Sequence, residues 1–155
     1  MKKLILLGLV AFAASSVSAT TFKLFVHGRS ATNHCSGTIP NTSSATTDVG
    51  GYWSGWGFTP QTTNVRFVGF DGEQNGGAYS WNECGAQLEL YRALNTFCTG
   101  ANDCEVYTHS TGGLVVSAFF GLNPSLASYY HIRRIQEMAS AAGGSELADM
   151  AVKYL

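Results

Sequence analysis

The residues of this sequence best placed to do chemistry lie in Val106 to Gly113, VYTHSTGG. A β-rich run, Glu105 to Thr108, stops at His109-Ser110, and an apolar run from Leu114 to Phe120 follows. A serine held between a strand and a helix can sit on a sharp turn that presents its hydroxyl to a carbonyl carbon, in the pattern G-x-S-x-G. Residues two positions either side of such a serine must be small, because backbones crowd there. Gly112 meets that need on the far side of Ser110. Thr108 stands where the near glycine belongs and is larger, though compact. His109 fills the variable position between them. A helix starting after Ser110 aims its first N–H groups at the site, which favours a developing oxyanion. The N–H of Thr111 is the natural first donor.

A second donor is expected from a loop after an earlier strand. Phe22 to Val26 (FKLFV) is a short apolar run that ends in His27-Gly28-Arg29. Gly28 allows a close turn, and the N–H of Arg29 would face the pocket. His27 reads as a residue packed beside that loop, and His131 as the start of a strand. Asp71 reads as the cap of a loop at a strand end. The order His27, Asp71, Ser110 is also that of chymotrypsin-like proteases. Those enzymes need a β-barrel, whereas the serine here opens a helix.

The elements that must position these groups alternate strand and helix. Asn64 to Phe70 is a second apolar run, closed by Asp71-Gly72 and a Gly-rich loop through Ser80. Glu83 to Phe97 is predicted helical, with Leu88, Tyr91, Leu94 and Phe97 at helical spacing. Glu105 to Thr108 is the third strand, and Leu114 to Phe120 a buried helix closed near Gly121 and Pro124. Ile132 to Met138 is a fourth strand. Ser145 to Leu155 is a terminal helix with Ser145 as its N-cap. Arg29 to Gln61, rich in Gly, Ser, Thr and Asn, is a long loop whose Tyr52, Trp53 and Trp56 cover the core or line an acyl pocket. The rhythm predicts an α/β fold with a mostly parallel sheet and crossover helices. Such sheets carry their chemistry at the carboxyl ends of the strands.

Composition narrows the class. Charged residues make up 12% of the 155, with Lys+Arg 9 against Asp+Glu 10, about half the usual share. No basic stripe marks a nucleic-acid binder. Aromatic content of 12% with low charge is the reverse of a disordered chain's signature. Met1 to Ala19 has the three parts of a secretory signal: Lys2-Lys3, an apolar run from Leu4 to Ala14, and small or compact residues in Val17-Ser18-Ala19. The apolar run is shorter than the roughly 20 residues that span a bilayer. Residues 1–19 are therefore expected to be a signal peptide of bacterial type, and 20–155 a single domain sent to the periplasm or the medium. Loss of Lys2 and Lys3 leaves the remainder modestly acidic. In an oxidising compartment Cys35, Cys84, Cys98 and Cys104 read as two disulfides with three possible pairings. Cys98 and Cys104 flank the turn-rich TGAND and are the favoured local pair, which leaves Cys35 with Cys84. No CxxC spacing or ligand His pair supports a metal site.

Taken together, FVHGRS, YTHSTGG and Ile135 to Asp149 (IQEMASAAGGSELAD) resemble, in order, the oxyanion loop, the serine elbow and a later Gly-Ser-x-Leu-Ala-Asp run of secreted bacterial lipases and esterases of the α/β-hydrolase family. The resemblance spans roughly Phe22 to Asp149. It implies ester hydrolysis through an acyl-serine at Ser110, with an ester or lipid-like small molecule as substrate and no cofactor. The family's triad runs Ser, then Asp or Glu, then His. After Ser110 the first acid is Glu137, and the only later histidine, His131, precedes it. The resemblance thus implies a truncated α/β-hydrolase domain, a partial sheet with the C-terminal half of the fold missing. An inactive remnant or lipid-binding protein, or an acyltransferase or peptidase on the same fold, are the alternatives.

Overall fold

In the computed structural model, residues 18–29 and 64–143 are described. Strand β1 (Thr21–Val26) is followed by β2 (Val65–Val68), a single 3-10 turn (Gly77–Tyr79), helix α1 (Ala86–Phe97), β3 (Asp103–His109), α2 (Thr111–Leu122), a short α3 (Ser125–Tyr129) and β4 (Ile132–Met138). The strands form one sheet in the order β2-β1-β3-β4. All three pairings are parallel. Val26 lies opposite both Val68 and Thr108, and Thr108 opposite Glu137. The expected α/β arrangement, a parallel sheet with helices, is what the chain adopts.

Burial on both faces explains why the second half of β1, Leu24-Phe25-Val26, reads as a continuous apolar run rather than an alternating one. Leu24 and Val26 join Leu90, Leu94, Val106, Val115, Val116 and Phe119 in the larger core. Phe25 joins Phe67 and Tyr107 in a second cluster. Its ring stacks on Tyr107 at 4.9 Å and meets Phe67 at 5.6 Å. Strand β4 is different: its middle five residues are exposed. It is tied to β3 by polar side chains as well as backbone. Arg134 lies 5.3 Å over the Tyr107 ring and donates to its hydroxyl at 2.6 Å, while Arg133 pairs with Asp103 at 2.5 Å.

Helix α1 starts three residues later than the predicted Glu83. Gly85 holds an extended backbone as its N-cap, and Cys84 before it has φ 69°, so the chain turns there instead of coiling. The buried stripe also differs from the Leu88, Tyr91, Leu94, Phe97 spacing. It consists of Ala86, Gln87, Glu89, Leu90, Ala93 and Leu94, and Tyr91 is exposed. Gln87 is satisfied inside by donating to the carbonyls of Ala78 (2.7 Å) and Val115 (3.0 Å). Glu89 receives Arg92 at 2.7 Å, which also reaches Glu83 at 2.7 Å.

The Cys98–Cys104 disulfide is present, joining the C-cap of α1 to the second residue of β3 with the Cα atoms 5.5 Å apart. Closing so small a loop contributes about 2 kcal/mol by chain entropy. Cys84 is also disulfide-bonded. Its expected partner Cys35 lies outside the described residues. So do most of the signal segment, nearly all of the Arg29 to Gln61 loop with Tyr52, Trp53 and Trp56, and the predicted helix from Ser145. Among the described residues, no helix is long and apolar enough to cross a membrane.

Candidate active site

The chain passes from β1 to β2 on one side and returns to β3 on the other. The carboxyl ends of β1 and β3 therefore flank the point where strand order reverses, the usual position of a ligand crevice in open parallel sheets. His27-Gly28 ends β1, and His109-Ser110 ends β3. The fold brings these two segments, far apart in sequence, side by side.

Ser110 joins β3 directly to α2, with φ 52° and ψ −124°. A non-glycine residue in the left-handed region costs about 1–3 kcal/mol and persists only where its surroundings over-determine it. Here they do. The Ser110 N–H donates to the Met138 carbonyl at 3.2 Å. The Ser110 carbonyl accepts from Ala141 at 2.9 Å and from Gly113 at 3.1 Å. A serine just before a helix ordinarily turns its hydroxyl onto the N–H groups of the first turn. Ser110 makes no such cap. Among the described residues, nothing hydrogen-bonds its hydroxyl. Thr111 is the first residue of α2, so its N–H has no partner within the helix.

Three glycines make the turn sterically possible. A Cβ on Gly112 would strike the carbonyl oxygens of Val26 and His27, the latter at 2.6 Å. One on Gly113 would strike the Ser140 hydroxyl. One on Gly28 would come within 2.9 Å of Ser110 Cβ and 3.3 Å of the His109 carbonyl. Thr108, in place of the near glycine, is wholly buried, and its hydroxyl oxygen has no hydrogen-bond partner among the described residues. A buried hydroxyl left unsatisfied costs about 1–3 kcal/mol.

The remaining sequence candidates separate cleanly. The buried His27 stacks on Phe70 with ring centroids 3.9 Å apart. Its Nε2 accepts from the Phe70 N–H at 3.2 Å, and its Nδ1 meets the Gly28 carbonyl at 2.5 Å. The proton is therefore on Nδ1, and the ring fastens the loops after β1 and β2. His109 Nδ1 lies 3.4 Å from the Cβ position of Gly28, and burial lowers its pKa. His131 stands at the other end of the sheet, before β4, with Nδ1 3.1 Å from the Asn102 carbonyl. Asp71 caps its own loop by accepting from the Glu73 N–H at 2.9 Å. Glu137, on exposed β4, accepts from the Ser117 hydroxyl at 3.3 Å.

One partner was not legible beforehand. The exposed Arg29 guanidinium forms a two-pronged pair with Glu73, Nε to Oε1 at 2.7 Å and a terminal nitrogen to Oε2 at 2.6 Å. The pairing raises the Arg29 pKa and holds the Glu73 carboxyl below its ordinary value, chiefly through the hydrogen bonds. Among the described residues, no cluster of three or more His, Cys, Asp or Glu could hold a metal ion. A scan against protein-family models and a search of curated proteins returned no match to this chain.

Proposed function

We propose that this protein belongs with the secreted serine carboxylic-ester hydrolases, on an α/β-hydrolase-type sheet, and that Ser110 is its nucleophile. The observation that carries this is the Ser110 backbone, at φ 52° and ψ −124° between a parallel strand and a helix, with its hydroxyl left uncapped. A strained serine that opens a helix without capping it is what a nucleophile turn requires. The Ser110 oxygen attacks the ester carbonyl carbon and its proton passes to a base. The N–H groups of Thr111 and Arg29 hold the oxyanion. Collapse breaks the acyl–oxygen bond, and the leaving alcohol takes up the proton. Water then cleaves the acyl-serine, releasing the acid and restoring the hydroxyl. His27 has both ring nitrogens engaged and His131 stands at the far end of the sheet, so neither serves as that base.

A fluorophosphonate probe together with a short-chain p-nitrophenyl ester tests the assignment. Ser110 is expected to be the labelled residue, and Ser110→Ala to cut turnover by about a thousandfold or more. Folded protein that neither labels at Ser110 nor turns over ester sinks the proposal. A ligand-binding role on the same fold then takes its place.

A further inference from the structure

We infer that Glu73 is a positioning residue for this site: its carboxylate grips the Arg29 side chain and so fixes the Arg29 backbone N–H beside Ser110. The inference rests on the ester-hydrolase reading of Ser110. Gly28 approaches Ser110 so closely that an added Cβ would lie 2.9 Å from Ser110 Cβ, and Arg29 is the next residue. An amide that follows a glycine has more ways to wander than any other. A donor is useful in catalysis only if its place is set before charge develops. Something must therefore hold Arg29: the His27 Nδ1 bond to the Gly28 carbonyl orients the shared peptide unit, and among the described residues the two-pronged contact to Glu73, at 2.7 and 2.6 Å, holds the side chain. Two parallel bonds fix orientation as well as distance.

Glu73 is in turn well anchored. Its N–H donates to Asp71 Oδ1 at 2.9 Å, and the Asp71 N–H donates to the Cys84 carbonyl at 2.9 Å. Gln74 beside it donates to the Glu83 carbonyl at 2.5 Å and accepts the Ser80 hydroxyl at 2.7 Å. The loop after β2 is thus a braced post, and the loop after β1 is tied to it. Because both side chains reach water, the pair adds little to overall stability. Its value is local. An oxyanion donor acts on the transition state more than on bound substrate, so its loss lowers kcat and leaves KM in place.

The test uses the full chain with Glu73→Gln, Ser110→Ala and the charge-reversed double variant Arg29→Glu/Glu73→Arg. Ester kinetics, thermal melting and amide hydrogen exchange of the Gly28–Arg29 region are read for each. Glu73→Gln should speed exchange at Arg29 several-fold and lower kcat about fivefold, the span of a good exposed pair, with KM and melting temperature unchanged. The reversed pair should recover both. Unchanged exchange or unchanged kcat in Glu73→Gln overturns the inference while Ser110-dependent turnover stands. So does a loss confined to KM, or a reversed pair that recovers nothing. If Ser110→Ala equals the unmodified protein in ester turnover, the hydrolase reading has failed. Faster Arg29 exchange then marks a loop fastener without a catalytic role, and the inference falls as stated.

Discussion

Gly28 and Ser110, 82 positions apart, meet at one point, where a methyl on the first would press against the side chain of the second. The end of β1 and the end of β3 are thereby in van der Waals contact. Whatever moves one moves the other.

The two site glycines should respond differently to a methyl group. In Gly112→Ala the new carbon meets backbone at the end of β1 and just after it, the Val26 and His27 carbonyl oxygens, the latter at 2.6 Å. That backbone cannot yield, so Gly112→Ala is expected to lose about 1–3 kcal/mol of stability through overpacking. In Gly28→Ala the nearest atom is the Ser110 side chain at 2.9 Å. The fold should survive with a smaller loss, while labelling of Ser110 by a fluorophosphonate slows sharply. Melting curves and labelling rates measured side by side separate the two effects. A Gly112→Ala protein that melts with the unmodified chain would contradict the contact.

Ser110 itself should be a site where function is held against stability. At φ 52° a side chain is strained and glycine is not. Ser110→Gly is expected to raise stability by about 1 kcal/mol or more over Ser110→Ala, with both variants inactive. Chemical denaturation of the pair gives the difference directly. Equal midpoints and slopes would show that no strain resides at this residue.

Glu89 makes a prediction about pH. Its side chain is wholly buried, one carboxylate oxygen lacks a partner among the described residues, and burial raises its pKa against the opposing pull of Arg92. The folded state then holds the proton more tightly than the unfolded chain does. That contribution is complete below the ordinary carboxylate value and is lost as pH rises through the raised one. Glu89→Gln keeps the shape and removes the titration, and Arg92 retains Glu83. The melting temperature of Glu89→Gln minus that of the unmodified chain should grow as pH is raised from about 4 toward neutrality. Glu73 and Glu83, whose pKa values are lowered, act in the opposite sense but are common to both proteins and cancel. A difference that shrinks with pH would mean that Arg92 outweighs burial.

The segments that meet at the candidate site were legible because they depend on residue types that few other arrangements require. Gly28 and Gly112 stand where the chain segments touch, and the strand runs that lead to the site carry Leu24, Phe25, Val26, Val106 and Tyr107 into the core. The predicted β4, Ile132 to Met138, has the observed bounds. The α1 face was misread for a physical reason. Alanines carry little hydrophobic signal, and a buried Gln87 and Glu89 look like surface until their partners on other elements are known. The short α3 has five residues, too few for a period to show. Glu73 was invisible for a similar reason. A pairing with Arg29 across 44 positions leaves no spacing to detect, and only the turn at Asp71-Gly72 marks its loop.

The bonds from Met138 and Ala141 to the Ser110 backbone also have a consequence in time. During synthesis the serine emerges well before the segment that bends it. Until the chain has reached Ala141 and β4 has docked along β3, nothing on that side holds the residue in its unfavourable conformation. A nascent chain therefore carries Ser110 in relaxed form, and its positive φ is the product of a late, parallel strand pairing of the kind that closes slowly. Ser110 gains these two backbone bonds only when β4 is in place.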